Sequence, residues 1–223
     1  MRQLIRIIGI WIGLVVNHSP IFGQSKFSFS ISAAPGYTYS NTNATILLPD
    51  NSITIPVDVE YQQKGVGYSV GILARYELST HFSVSTGIWL NHNHYNQPTI
   101  STNPDLTLNP TGVQVVGESS TTRNYQIPVL VNYQSSTKRL SPYFSAGTYI
   151  NFPYTKIYAE GTGTLPNQKI RIYPTLGAGI KYQLSNHLSL ITQPTFTYLI
   201  PIRTYNSYQY YQLSLQTQLL YKF

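Results

Sequence analysis

The last segment of the chain, residues 211–223, alternates between apolar and polar residues. One parity carries Tyr211, Leu213, Leu215, Thr217, Leu219, Tyr221 and Phe223. The other parity carries glutamines, a serine and Lys222, and Leu220 is the exception. A period of two over a segment of this length indicates a β-strand with one oily and one polar face.

Seven further segments alternate in the same way, so the chain is predicted to contain eight strands: residues 27–40, 65–78, 82–91, 123–133, 142–152, 169–184, 187–200 and 211–223. Strands of about ten residues can cross a bilayer at a tilt. The charged residues of these segments and their edges fall on the polar parity, namely Lys26, Arg75, Glu77, Lys169, Arg171, Lys181 and Lys222. Arg123, at the end of its strand, is the exception. A cation facing lipid costs roughly 2–4 kcal/mol at the midplane and close to nothing near the interface. The pattern therefore places the oily faces toward lipid and the polar faces toward an axis.

The connections between these strands fall into two kinds. The stretch YELSTHFSV, residues 76–84, returns as YQLSNHLSL, residues 182–190, and each makes a short corner. A third short connection, SSTKRL, covers residues 135–140. The other connections, residues 41–64, 93–120 and 153–168, are long and rich in Asn, Thr, Gly and Pro. Short turns at one rim and long loops at the other are typical of membrane β-barrels.

Composition supports a protein that lies largely in lipid. Charged residues make up only 9% of the 223-residue chain, whereas soluble domains average about 25%. No apolar run after the N-terminal segment approaches the roughly 18 residues of a membrane helix. A closed sheet is then the one way across a bilayer, because lipid offers no partner for backbone N–H and C=O groups.

The N-terminal segment, residues 1–23, has the order of a secretory signal peptide. Two arginines in MRQLIR precede the apolar run IIGIWIGLVV, and a small residue stands at Gly23. Cleavage is predicted after Gly23 or Gln24, and loss of Arg2 and Arg6 lowers the net charge from +7 to +5. Residues 24–223 form the predicted barrel domain, and the alternative for the first segment is a buried N-terminal strand.

Three marks in order along the chain resemble a known family. They are NYQIPVLVNY followed by SPYFSAGTY, the hairpin GAGIKYQLSNHLSL, and a last strand ending in Tyr221, Lys222 and Phe223. With these marks the chain resembles the small outer-membrane β-barrel proteins of Gram-negative bacteria, the OmpA/OmpX-like type, and more narrowly the group that includes PorT-like proteins. The resemblance implies an all-β fold: an eight-stranded antiparallel transmembrane β-barrel with short periplasmic turns and long extracellular loops, located in the cell outer membrane. It also implies that barrel-assembly machinery recognises the last strand through Phe223, Tyr221, Leu219 and Leu215.

An eight-stranded barrel encloses a space that side chains can fill. The polar parity supplies bulk from Trp89, Tyr143, Tyr149 and Tyr173, and glycines leave room for it: Gly67, Gly71, Gly87, Gly147, Gly177 and Gly179. We therefore expect a lumen closed to diffusion. The surplus of cations over Glu77 has two interpretations, an anion site or cations that reach the rims and share tyrosine hydroxyls around a Glu77 network.

Motifs for catalysis or metal binding are weak. His92 and His94 form an H-x-H pair, but a metal site needs a third or fourth ligand and the chain has no cysteine. A G-x-S-x-G elbow is absent from the sequence. We predict no catalytic, cofactor-binding or metal-binding residues and no enzymatic activity. Loop acids give the exposed rim a mixed charge, which argues against nucleic-acid binding despite a pI of about 9.5.

Three functions and one rival architecture stay open at this point. The first function is a structural or interaction protein whose loops contact surface or envelope proteins. The second is an accessory barrel of an envelope or secretion assembly, as PorT-like relatives suggest, and the third is a lipid-modifying enzyme at the rim. The rival architecture is a soluble exported barrel of lipocalin type, which would carry its charges outside and its apolar residues inside. The expected partners of the membrane barrel are outer-membrane lipids, the assembly machinery and a protein bound by the loops.

Overall fold

The computed structural model describes residues 26–50, 53–103, 117–153, 170–199 and 207–223. The predicted signal peptide, Lys169 and most of the connection 153–168 lie outside these residues. The described strands are β1 (Phe27–Asp50), β2 (Ile53–Glu77), β3 (Phe82–Tyr95), β4 (Thr99–Asn103), β5 (Ser120–Gln134), β6 (Leu140–Pro153), β7 (Arg171–Gln183), β8 (Leu188–Tyr198) and β9 (Ser207–Lys222). Within the described ranges we find no helix with the length and apolarity needed to cross a bilayer.

Eight of the nine strands form a closed antiparallel ring. The order around the ring is β1, β2, β3, β5, β6, β7, β8 and β9, and β9 pairs back with β1. That closing register runs from Ser28 opposite Lys222 to Asn43 opposite Ser207. The short strand β4 stands outside the ring and pairs with β2. The predicted eight-stranded antiparallel barrel is confirmed.

The two faces of the wall have the predicted orientation. Leu213 and Leu215 point outward and are 50% and 48% exposed, whereas Gln216 and Gln218 point inward and are 1% exposed. Arg75 also points inward and is 4% exposed. The outward apolar side chains therefore face lipid. The lipocalin-like alternative requires the reverse orientation and is excluded.

Aromatic side chains gather at both ends of the lipid-facing wall. Near the short turns, Phe27 contacts Tyr76 with ring centroids 4.9 Å apart, and Tyr221 contacts Phe223 at 5.2 Å. Near the long connections, Tyr39 stacks on Tyr211 at 5.0 Å. Amphipathic rings prefer the boundary between headgroups and acyl chains. The two groups therefore mark the two surfaces of the membrane.

The repeated stretch of sequence is a single turn structure used twice. In the turn between β2 and β3, the amides of Leu78 and Ser79 donate to the carbonyl oxygen of Phe82, each at 3.0 Å. In the turn between β7 and β8, the amides of Leu184 and Ser185 donate to Leu188 at 2.9 and 3.0 Å.

The shared serine explains why the same letters recur in both turns. The hydroxyl oxygen of Ser79 accepts from the amides of His81 and Phe82 at 3.3 and 3.0 Å. Ser185 accepts from the amides of His187 and Leu188 at 3.4 and 3.2 Å in the same way. A serine that satisfies backbone donors of its own turn stabilises a tight corner.

The first long connection is more regular than the sequence interpretation predicted. Residues 41–64 are long and extracellular as expected, but they are a paired hairpin rather than an irregular loop, because β1 extends to Asp50 and β2 begins at Ile53. The register continues without interruption, with Asn43 opposite Glu60 and Thr45 opposite Asp58. A strand that lies in water does not need an apolar outer face. Because the strands were predicted from such a face, residues 41–64 were not predicted as strands.

Glycine at position 147 is required by close strand packing. A side chain at position 147 would lie against the backbone of β5. Its Cβ would overlap the carbonyl oxygen of Val129 and would lie 2.9 Å from the Cα of Leu130. We expect Gly147→Ala to lower the free energy of unfolding by roughly 1–3 kcal/mol, since a backbone neighbour must shift. Urea titration of the protein in lipid vesicles measures the change.

Gly177→Ala is the matched control for this substitution. Its Cβ would meet the hydroxyl of Ser145 at 2.7 Å and the amide end of Gln193 at 3.0 Å, and both are side-chain atoms that can move. We expect the smaller loss of stability at position 177. An equal or larger loss there would show that backbone contact at Gly147 is not the constraint.

Candidate functional site

Bulky side chains point into the barrel, as the sequence analysis predicted. Trp89 and Tyr143 are 2% and 1% exposed, and Tyr149 and Tyr173 are both 7% exposed. Gly71 makes room for Trp89, because a Cβ at Gly71 would overlap the indole ring. These residues form three apolar clusters inside the ring together with neighbouring buried side chains: Leu130, Leu199 and Tyr210; Ala34 and Leu73; Ile191 and Leu220.

Polar side chains connect strands across the interior. The amide nitrogen of Gln193 donates to Gln216 Oε1 at 2.8 Å, and the Ser145 hydroxyl donates to Gln193 Oε1 at 3.2 Å. Asn132 donates to the hydroxyl of Ser85 at 3.0 Å. Gln193 and Gln216 are 0% and 1% exposed, so these bonds lie out of water. Buried networks of this kind favour one packing of the interior.

The inward charges near the short turns have unequal partners. Lys222 Nζ lies 2.6 Å from Glu77 Oε2, and this is the one ion pair among the residues that the structure describes. Lys181 Nζ instead donates to the amide oxygen of Gln134 at 2.9 Å. The predicted Glu77 network therefore exists but neutralises a single cation.

Arg75 is buried with neutral partners. Its Nη2 donates to the hydroxyl oxygen of Tyr143 at 2.7 Å and to Gln218 Oε1 at 3.2 Å. The guanidinium carbon also lies 5.3 Å from the centroid of the Tyr143 ring. The use of a tyrosine hydroxyl, one of the sequence alternatives for the surplus cations, is confirmed at this residue. Because burying a charge is costly unless it is hydrogen-bonded, Tyr143 holds the arginine in the interior.

A second polar region lies outside the membrane, on a part of the structure that we call the protruding sheet. It consists of residues 41–50 of β1, residues 53–62 of β2, and β4. The register aligns three rows of polar residues on its outer face: Asn41, Gln62 and Thr99; Asn43, Glu60 and Ser101; Thr45, Asp58 and Asn103. A pocket of about 540 Å³ is lined by residues of the last two rows together with Ala44, Val59 and Thr102.

Hydrogen bonds hold both carboxylates of the protruding sheet. Gln62 Nε2 and Asn41 Nδ2 both donate to Glu60 Oε1, at 2.8 and 2.9 Å. The hydroxyl of Thr45 donates to Asp58 Oδ1 at 2.6 Å. The bonds from Gln62 and then Asn41 lower the pKa of Glu60, because they favour its charged form. Glu60 is therefore ionised at neutral pH, and the outer face is polar and acidic.

The histidines of the H-x-H pair lie on β3 rather than in a loop, and both point outward. His92 accepts a hydrogen bond from Arg123, and His94 forms a hydrogen bond with the hydroxyl of Thr121. The described residues contain no group of three or more potential metal ligands.

The acidic face was missed by the sequence analysis, although the alternation of VDVEYQ, residues 57–62, was a usable signal for a strand.

Removing the Tyr143 hydroxyl tests its hold on Arg75. We expect Tyr143→Phe to lower the free energy of unfolding by roughly 1–3 kcal/mol, because a buried charged donor loses its shortest hydrogen bond. Urea titration in lipid vesicles measures the change. Arg75→Met removes the charge and should cost less, since an apolar chain of similar size replaces it.

Tyr39→Phe, on the outward face, is the matched control and should change stability by less than about 0.5 kcal/mol. A Tyr143→Phe protein as stable as the wild type, or an Arg75→Met protein that loses more than Tyr143→Phe, would contradict this account.

Comparison with known proteins agrees with the fold. A sequence model of the family described as outer membrane protein beta-barrel domain matches residues 22–220. No curated protein sequence matches the chain. The solved structure of Neisserial surface protein A is 14% identical, with a TM-score of 0.50 and coverage of 91% of this chain and 100% of that one.

OprG from Pseudomonas aeruginosa is 12% identical, with a TM-score of 0.50 and coverage of 90% of this chain and 98% of that one. At such identities the two structures support the fold alone, and the family match carries the assignment. The chain therefore belongs to the outer membrane protein beta-barrel domain family, and its location is the cell outer membrane.

Proposed function

We propose that the protein is a non-enzymatic outer-membrane protein whose protruding sheet binds a surface or envelope protein. The observation that carries the proposal is the outer face of this sheet, where three aligned rows of polar side chains surround Asp58 and Glu60. Loops and extensions held by a rigid scaffold are where binding function is usually located. The barrel is such a scaffold, and the sheet continues two of its strands into water.

The acidic charge of the face and the fixed positions of its carboxylates support binding of a basic partner. Glu60 and Asp58 are fixed by hydrogen bonds from neighbouring side chains, so little side-chain freedom is lost when a partner binds. Two carboxylate side chains on one face favour a partner with lysine or arginine side chains. The pocket of about 540 Å³ beside them can take such a side chain.

The absence of enzymatic activity is part of the same proposal. A hydrolase of the triad type needs a nucleophile, a base and a group that orients the base. Among the described residues, the histidine rings hydrogen-bond to threonine hydroxyls, an arginine and a backbone carbonyl, and none meets a carboxylate.

We further propose that the lumen is closed to diffusion. Support comes from the buried interior side chains, which include Tyr143, Ile191, Gln193 and Gln216 at 1% exposure or less. Eight-stranded barrels have interiors of a width that side chains fill.

Site-specific photo-crosslinking in intact cells tests the interaction. We expect a photoreactive residue at Asn43, on the protruding sheet, to give protein adducts, and the same residue at Ile72, on the lipid-facing wall, to give none. Asp58→Asn combined with Glu60→Gln should lower the adduct yield at Asn43, because the face loses both charges. An adduct yield at Asn43 that is the same with and without the double substitution would contradict the role of the acidic face. Protein adducts from the periplasmic turn at Asn186 alone would instead favour the accessory-barrel alternative.

Conductance across planar bilayers tests the lumen. We expect the purified protein to produce no steady channel at concentrations where a general-diffusion porin conducts. The folded state is checked by migration on gels before and after boiling. Reproducible open channels from the folded protein would show that the interior is a pore.

A further inference from the structure

Four basic side chains share the outward face of the wall at the extracellular end of β2, β3 and β5. We call Lys64, His92, His94 and Arg123 the basic patch. The register places His92 opposite Arg123, and His94 opposite Thr121 and Val66. Lys64 follows next on β2, where its carbonyl oxygen accepts from the amide of Asn96 at 2.9 Å. Residues diagonal across paired strands lie about 7–8 Å apart, so Lys64 neighbours His94 and His94 neighbours Arg123, and the four side chains form a continuous patch.

Hydrogen bonds orient the donors of the patch. Arg123 Nε donates to His92 Nδ1 at 3.3 Å, so a neutral His92 carries its proton on Nε2 and remains a donor. His94 Nδ1 lies 3.0 Å from the hydroxyl oxygen of Thr121. The Tyr68 ring packs against His92 with centroids 5.3 Å apart. Of the Arg123 nitrogens, only Nε has a hydrogen-bond acceptor among the described residues, so the terminal N–H groups can donate to a ligand.

The patch has no acidic partner in the part of the chain that the structure describes. The one ion pair there joins Lys222 to Glu77, near the opposite rim. Glu118, which precedes β5, is exposed and makes no ion pair with the patch. Lys64, His94 and Arg123 are all exposed. This part of the surface therefore carries positive charge that no described acidic residue pairs with.

The wall directly below the patch is apolar and faces lipid. Val70 and Leu90 are 40% and 48% exposed, and Ile72 and Ile88 follow at 61% and 60%. Tyr125, 45% exposed, lies in the same row as Val70 and Leu90, next to Arg123 on the outward face of β5. The patch therefore lies at the level of the outer-leaflet headgroups. The apolar part of the wall that the acyl chains contact lies directly below it.

We infer that the basic patch binds the phosphate of a phosphorylated lipid in the outer leaflet. The Arg123 fork takes two phosphate oxygens, because a guanidinium presents parallel donors at the spacing of an oxyanion. His92 Nε2 adds a donor beside Arg123, the Lys64 ammonium adds positive charge further out on the same face, and the acyl chains lie along Val70, Leu90 and Ile72. The same geometry explains why a cation is tolerated on the lipid-facing parity at position 123. This binding is independent of the protruding sheet and of its partner.

Native mass spectrometry of the purified protein in detergent micelles tests the inference with phosphatidic acid as the probe. We expect the wild type to retain phosphatidic acid and to retain much less diacylglycerol with the same acyl chains. Arg123→Gln should weaken retention roughly tenfold, since charge-assisted hydrogen bonds are lost. Arg123→Lys should keep an intermediate affinity, and Lys64→Gln gives a second variant that removes charge without touching Arg123.

Arg139→Gln is the matched control, because Arg139 is an exposed cation at the opposite rim, with its guanidinium carbon 5.1 Å from the Tyr182 ring centroid. This variant should retain phosphatidic acid as well as the wild type does. Gel migration before and after boiling verifies that each variant is folded.

Three results would overturn the inference. Equal retention of phosphatidic acid by the wild type, Arg123→Gln and Lys64→Gln would show that the patch does not bind it. Equal retention of diacylglycerol would assign the binding to the apolar wall alone. Displacement of the lipid by inorganic phosphate at the same concentration would make the patch a site for the free anion rather than for a lipid.

Discussion

Every backbone N–H and C=O group inside a bilayer must find its partner within the protein, because lipid offers none. In this chain the pairing of β9 with β1 meets that requirement, since it closes the sheet into a ring. Once the ring is closed, each strand has one face toward lipid and one toward the axis. The alternation of apolar and polar residues follows from this constraint, and so does the low charge content of the chain.

Closure also creates the interior and its electrostatic problem. The space is narrow, so large side chains such as Trp89 and Tyr143 occupy it and glycines such as Gly71 make room for them. Arg75 then lies where water is scarce and depends on a phenol and an amide. Lys222, which is partly exposed, has a carboxylate. Neutral hydrogen-bond acceptors are thus part of what stabilises the charged interior.

The outward face changes its chemistry with height above the membrane. It is apolar along the acyl chains, basic at the headgroup level around Arg123, and acidic on the protruding sheet around Glu60. The same two strands, β1 and β2, pass through all three environments with a continuous register. Since pairing in the sheet does not depend on side-chain polarity, the environment alone decides which side chains the outer face carries. The proposed lipid contact and the proposed protein contact therefore lie at two different heights on the same outward face.

The sequence by itself determined the eight strands of the ring, their orientation and the repeated turn. A period of two identifies the buried face of each strand without knowledge of its neighbours, and the turns around Ser79 and Ser185 are held by local hydrogen bonds. The tertiary structure decided which residues meet. Glu77 and Lys222 are 145 residues apart, and Arg75 and Tyr143 are 68 apart. These pairs depend on the closing register and on the order of strands around the ring. Alternation within one strand carries no information about either, because every strand presents the same two faces.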